Sequence, residues 1–213
     1  MLNIIRLQEP STLIAYRQQP DAKYDGPLFT QVKADIRTQL LVSQGYLCAY
    51  CMNRITNDQL KTKVEHWRSQ HKFPLLQLNY TNMLVVCSGN TLGQLHCDSS
   101  KGDEKLTINP ADLTQRIESV IKYTGSGEIY VDNNSDLTHD IDVTLNLNYD
   151  RLKKNREAIM EAVMSELDRI KGSATRNDLN ELLDKWNAVD SNGYKKPYCG
   201  TATYYIKKKI ARI

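Results

Sequence analysis

The sequence predicts an α+β fold: a small metal-clipped module with an arm and a helix before it and a β-hairpin and helices after it. Three observations carry this. Four of the five cysteines lie between Cys48 and Cys97. Apolar residues recur at helical spacing before that window and after residue 148, and a short alternating pattern lies between. With 213 residues, 40% hydrophobic and 25% charged, the chain can bury a real core.

In chain order, residues 1–30 read as an extended arm, punctuated by Pro10, Pro20, Gly26 and Pro27. Val32, Ile36, Leu40 and Leu41 give an amphipathic helix over 31–43, with Gly45 just past its end. The cysteine module follows. After Asn109-Pro110, the pattern of Ile117, Ile121 and Tyr123, the turn at 125–127 and the strand at 128–131 predict a β-hairpin. Residues 132–140 read as polar loop. Asn148 is placed to cap a helix with Leu152, Ile159, Val163, Leu167 and Ile170 on one stripe, ended by Gly172. Thr175 and Asp178 resemble a capping box for a second helix carrying Leu179, Leu182, Leu183 and Trp186. The two stripes can bury each other. A last helix over 198–210 carries Ala202, Tyr205, Ile206 and Ile210. The expected division is 1–43 arm and helix, 44–110 central module, and 111–213 hairpin and helices.

No apolar run is long enough to span a membrane, and the N-terminus lacks the pattern of a signal peptide. The expected location is the cytoplasm, where clustered cysteines serve as metal ligands rather than disulfides. Net charge is +3, but residues 195–213 hold Lys195, Lys196, Lys207, Lys208, Lys209 and Arg212 and no acid, so the rest is net acidic. Such a tail fits nucleic acid or an acidic partner. It fits equally a solvated helix end whose cations suit the macrodipole.

Cys48 and Cys51 form a Cys-x-x-Cys pair. Cys87 and Cys97 are separated by an insert containing Gly89, Asn90 and Gly93, a composition suited to a loop. Together they offer the four soft ligands of a structural zinc, with His96 as an alternative to Cys97. Two unrelated pairs of buried thiols would be the plainer account. Glu65-His66 lies between the cysteine pairs, on a short strand where neighbours point to opposite faces. Asn82 and Asp98 follow, with Asp98 directly after Cys97 at the start of a short helix ending near Lys101. Alone, an exposed Glu and a satisfied His are commonplace. The Cys199 thiol is expected to be buried, Trp67 to belong to the core, and His71 and His139 to the surface.

The order Cys-x-x-Cys, Glu65-His66, Asn82-Met83-Leu84, Cys87 and Cys97-Asp98-x-x-Lys101-Gly102 resembles the HNH endonucleases, built on a ββα-metal fold. The resemblance implies roles. His66 becomes the general base. Glu65 and Asp98 become ligands of a catalytic Mg²⁺ or similar ion, and Asn82 orients the loop and the base. Cys48, Cys51, Cys87 and Cys97 hold structural Zn²⁺. Asp98 departs from the family's usual His or Asn, which bears on metal preference, since a carboxylate still binds a hard cation. Cleavage would leave 5′-phosphate and 3′-hydroxyl ends. Arg68, Lys72 and Lys101 are the candidates for nucleic-acid contacts.

A narrower resemblance covers most of the chain. The run from Glu65 to Pro74, the run from Asn79 to Cys87, Asn109-Pro110, Gly127-Glu128-Ile129, Leu145 to Asn148, Leu152 and Asn155-Arg156 resemble the PtuB nucleases of the Septu anti-phage systems, found also beside retrons. That likeness implies a PtuA-like ATPase partner in a hetero-oligomer and a role in antiviral defence. DNA is the first substrate expected and RNA, including tRNA, the second. A binding subunit with a dead site is the reading outside catalysis. The arm, with Leu2, Ile4, Ile5, Leu13 and Ile14, and the basic tail are the expected docking elements, unless the arm wraps its own domain.

Overall fold

The computed structural model describes residues 1–170 and 172–213. It is α+β, with three two-stranded antiparallel sheets and several helices around one core.

The arm carries a short helix, α1 (Ser11–Tyr16), and the first long helix is α2 (Phe29–Ser43). Met1, Ile4, Leu13 and Tyr16 are buried and join the common core. The Ile4 amide donates to the Pro110 carbonyl at 2.8 Å. Arg6 donates to the carbonyls of Tyr80, Thr81 and Met83. The arm therefore wraps its own domain, and its apolar residues are core residues. Ile5 and Ile14 remain outward.

The central hairpin pairs β1 (Thr62–His66) with β2 (Met83–Cys87), with Glu65 opposite Leu84 and His66 opposite Met83. All five residues of β2 are buried, with α2 packed against both strands of the hairpin. Gln44, just past α2, fixes the helix to this strand. Its amide donates to the Val85 carbonyl at 2.7 Å and accepts from the Val85 amide at 2.9 Å. The insert 88–96 forms a small ribbon of β3 (Asn90–Thr91) and β4 (Gln94–Leu95). One helical turn, α3 (Asp98–Lys101), follows.

The later segments depart from the sequence reading in instructive ways. Ile117 lies in a helical turn, α4 (Ile117–Val120), because Arg116 takes a left-handed conformation and breaks the extended run. The hairpin shortens to β5 (Lys122–Tyr123) and β6 (Ile129–Tyr130). The expected loop 132–140 contains α5 (Ser135–His139), capped by the Asn134 side chain. Asn148 does not cap its helix. Tyr149 occupies that position, while the Asn148 side chain clasps both backbone groups of Ile129. Helix α6 (Asp150–Asp168) stops before Gly172, and the box of Thr175 and Asp178 opens α7 (Arg176–Asn187) as expected. The stripes of α6 and α7 both pack on α8 (Cys199–Ile210), which is their main shared partner. Arg156, fully buried in α6, donates to the carbonyls of Gly127 and Leu147, so its charge is hydrogen-bonded to β5–β6 and the 147 turn. No helix among the described residues is long and apolar enough to cross a membrane.

Candidate active site and metal centre

The four cysteines converge. Cys48, Cys51, Cys87 and Cys97 are buried and free, with sulfurs all within 4.8 Å of one another. Cys48 and Cys97 approach to 3.9 Å, as do Cys51 and Cys87. A tetrahedron with metal–sulfur bonds of about 2.3 Å has edges of about 3.8 Å, so this spacing suits a metal such as zinc. The electrostatics agree. Hydrogen bonding from Cys48 pushes the Cys51 thiol up, and burial pushes Cys97 up, while hydrogen bonds from Cys48 and its neighbours push Cys87 down. Four buried sulfurs cannot all shed their protons without a cation among them. His96 sits beside the cluster, with Nδ1 3.2 Å from the Cys97 sulfur, and stacks on Tyr149. It flanks the four sulfurs. Cys97 itself has φ of +53°, a conformation that L residues rarely adopt. Its amide is tied to the Leu145 carbonyl at 2.8 Å. In that turn Cys97 joins the sulfurs while Asp98, next in the chain, opens α3 beside a cleft.

The cleft is about 480 Å³ and is lined by Glu65, His66, Asp98 and Lys101. His66 ends β1. Its Nε2 lies 2.9 Å from the Gln77 carbonyl, and Tyr24 packs edge-on to the imidazole at 4.5 Å. A carbonyl only accepts, so Nε2 carries the proton and the neutral ring keeps its lone pair on Nδ1. Burial lowers the pKa of His66, favouring that neutral form, with the Gln77 hydrogen bond opposing.

Glu65 and Asp98 both line the cleft, and each acts on the other's proton affinity. Burial, and then Asp98, pushes the Glu65 carboxyl up. Burial would do the same to Asp98, but hydrogen bonding from Glu65 and the Lys63 ammonium holds it down. Lys101 pairs with Glu65 at 2.7 Å and Lys63 with Asp98 at 3.1 Å. Tyr50, inside the Cys-x-x-Cys knuckle, places its hydroxyl 3.3 Å from Glu65 Oε1, the same oxygen that Lys101 contacts. Two carboxylates brought together at a cavity wall make a donor set for a hard divalent cation.

Asn82 stands at the neck of the loop 67–77. Its side chain accepts from the Arg68 amide at 2.8 Å and donates to the carbonyls of Arg68 and Leu76 at 2.9 and 3.3 Å. The loop so fastened delivers the Gln77 carbonyl to His66.

The structure places the three candidate nucleic-acid residues in three different settings. Lys101 lines the cleft but is buried, its ammonium taken up by Glu65 and the His66 carbonyl. Arg68 stacks over Trp67, with 4.0 Å from the guanidinium carbon to the ring centroid, and lies outside the cleft lining. Lys72 is exposed and pairs with Glu104. Sequence reasoning missed the cleft residues that come from the arm and α2: Tyr24, Asp25, Lys33 and Arg37. Arg37 carried one signal, as a charged residue next to Ile36 on the apolar side of its helix.

No protein-family model matches the chain. One curated relative, named "Retron Vc95 putative HNH endonuclease", from Vibrio cholerae serotype O1 biovar El Tor, is 27% identical over 173 residues, or 78% of this chain and 80% of the relative.

Proposed function

We propose that the chain is a metal-dependent endonuclease of the HNH kind. The carrying observation is the cleft itself, where His66, with Nε2 on the Gln77 carbonyl and a bare Nδ1, faces the same cavity as the paired carboxylates Glu65 and Asp98. The order β1, β2, α3 with those residues on its walls fits a ββα-metal module in the stretch 44–110. The name of the relative points the same way.

In this reading His66 Nδ1 takes a proton from the attacking water as the water meets the phosphorus of a phosphodiester. Glu65 and Asp98 would hold a divalent cation, Mg²⁺ by preference for oxygen donors, whose charge offsets the negative charge that develops on the phosphoryl and leaving oxygens. Lys101 holds Glu65 in place when the cation is absent and must yield part of that contact to it. Asn82 keeps the loop, and so the His66 tautomer, fixed. The products are 5′-phosphate and 3′-hydroxyl ends. The four cysteines hold zinc and fasten the module.

We assign the chain further to the PtuB-like effectors, working in a hetero-oligomer with a PtuA-like ATPase in antiviral defence. This rests on the sequence resemblance, and the word retron in the relative's name is consistent with it. The buried arm changes how that partnership is tested: deletion of residues 1–25 removes core residues and would unfold the domain, so co-purification with the ATPase belongs with the intact chain.

The decisive assay incubates the protein, alone and with the ATPase, with plasmid DNA and with total RNA in Mg²⁺. DNA cleavage abolished by EDTA and reduced about 10²–10⁴-fold in His66→Ala is the expected result. Cleavage of RNA alone would move the substrate assignment. Cleavage undiminished in His66→Ala would remove the catalytic assignment, and inertness toward both substrates would favour a binding subunit.

A further inference from the structure

The cations on the cleft wall divide into two kinds. Lys33 pairs with Asp25 at 2.9 Å, Lys63 with Asp98 at 3.1 Å, and Lys101 with Glu65 at 2.7 Å. Arg37 has no ion-pair partner among the described residues. It projects from α2 into the same cleft, is only 5% exposed, and its Nε is buried without a hydrogen-bond partner. A buried cation left unpaired is destabilising, and folded proteins keep one only where something offsets it. Arg156, the other deeply buried arginine, has backbone carbonyls on Nε and one Nη, and only its other Nη is buried without a partner.

Two further polar atoms on the cleft wall share this state. The Tyr24 hydroxyl and Thr62 Oγ1 are buried without hydrogen-bond partners, and both residues line the cavity with Arg37. An unpaired guanidinium and two orphan hydroxyls around one opening make a cradle for an oxyanion. Guanidinium geometry suits phosphate, which it can bind through two parallel N–H donors.

We propose that Arg37 is a substrate-binding residue that contacts a phosphate of the nucleic-acid strand in the cleft. This rests on the nuclease reading of the cleft and extends it: helix α2, outside the 44–110 module, completes the site. Gln44 explains how a residue on another element is placed, since it locks α2 to Val85 in the centre of β2. The phosphate would arrive where the three lysines, already paired, leave the field least satisfied.

The test uses the full chain carrying His66→Ala, so that nothing is cut, and a short labelled duplex DNA and single-stranded RNA of the same sequence. Binding is measured across a salt series for Arg37, Arg37→Met and Arg37→Lys. The expected result is at least about tenfold weaker binding for Arg37→Met, with the slope of log affinity against log salt smaller by about 0.7–0.9, one phosphate contact fewer. Arg37→Lys restores the slope but only part of the affinity, because it keeps the charge and loses the fork. Arg37→Met melts no lower than its parent, since it removes an unpaired buried charge. An unchanged slope in Arg37→Met, or loss of fold in both Arg37→Met and Arg37→Lys, overturns the proposal and makes Arg37 a structural residue. If the parent with Arg37 intact binds neither probe, the nuclease reading fails with it. If the parent binds and the variants bind equally, the Arg37 proposal alone fails.

Discussion

The sulfur cluster and the cleft draw on the two strands of one pair, Cys87 from β2 joining the sulfurs and β1 from Thr62 to His66 lining the cleft. Cys87 closes β2 opposite Thr62, and His66 closes β1 opposite Met83. In the sulfur cluster the ligand residues are buried, chemically alike, and drawn from two short segments. In the cleft the groups are mixed in charge, open to a cavity, and drawn from the arm, α2, β1 and α3. A metal that only fastens the chain can be enclosed. A site that must admit a phosphodiester has to leave polar groups incompletely satisfied, and stability must come from elsewhere. Substitutions should therefore separate the two sites: loss of fold at one, loss of activity with fold retained at the other.

The largest effect belongs to the sulfur cluster. Cys48→Ser, or treatment with a strong chelator, should unfold the central module, because structural zinc supplies about 10 kcal/mol or more to small domains built on it. Elemental analysis of the purified protein and a thermal melt with and without chelator measure this. A zinc-free protein with an unchanged melt would show that the four thiols pack without a metal.

Asp98→Asn probes the cleft. Asp98 is held in its charged form by Glu65 and the Lys63 ammonium, so its loss should lower the melting temperature only modestly and leave the fold intact. Cleavage should fall by an order of magnitude or more, and the Mg²⁺ needed for half-maximal rate should increase. A magnesium titration reads this directly. Unaltered magnesium dependence would take Asp98 out of the cation's donor set.

The contrast between the two sites also governed what could be read from sequence. Cysteine identity and spacing report almost directly on a sulfur centre, because a Cys-x-x-Cys turn brings two ligands together by itself. Glu65, His66, Asn82 and Asp98 were legible through their order within one segment. Tyr24, Lys33 and Arg37 were not, since they reach the cleft only through the docking of α2 on β2, which no local pattern encodes. The same limit explains Lys101. Lys101 was a candidate for nucleic-acid contact, and the helical turn from Asp98 to Lys101 places its ammonium 2.7 Å from Glu65. The arm was expected to dock elsewhere for a related reason: Leu2, Ile4, Ile5, Leu13 and Ile14 look too scattered to form a core of their own, and Ile4 and Leu13, with Met1, complete another.

Asn82→Ala should cost both stability and rate. It removes three hydrogen bonds that close the loop 67–77. Leaving the Arg68 amide without its acceptor costs about 1–3 kcal/mol in the melt. The rate should fall further than the stability suggests, because the Gln77 carbonyl then holds His66 less firmly. A loss of stability with no loss of rate would limit Asn82 to a structural role.

The smallest effect asks whether the two sites communicate. Tyr50 sits between Cys48 and Cys51, fully buried, with its hydroxyl 3.3 Å from Glu65 Oε1. Burial pushes its pKa well up, so it stays a neutral donor to the carboxylate. Tyr50→Phe keeps the ring and deletes that one bond, so the stability change should stay within about 1.5 kcal/mol and the zinc content should be unchanged. Glu65 loses one of the groups that fix its orientation, while Lys101 remains at 2.7 Å. Cleavage should therefore fall a few-fold, with a raised magnesium requirement as its signature rather than a lower melt. If rate and magnesium dependence both match the parent, the knuckle serves the sulfurs alone and the cleft takes its geometry from β1 and α3. If they shift as expected, the zinc centre does more than fasten the chain: it sets one side of the carboxylate that the chemistry would use.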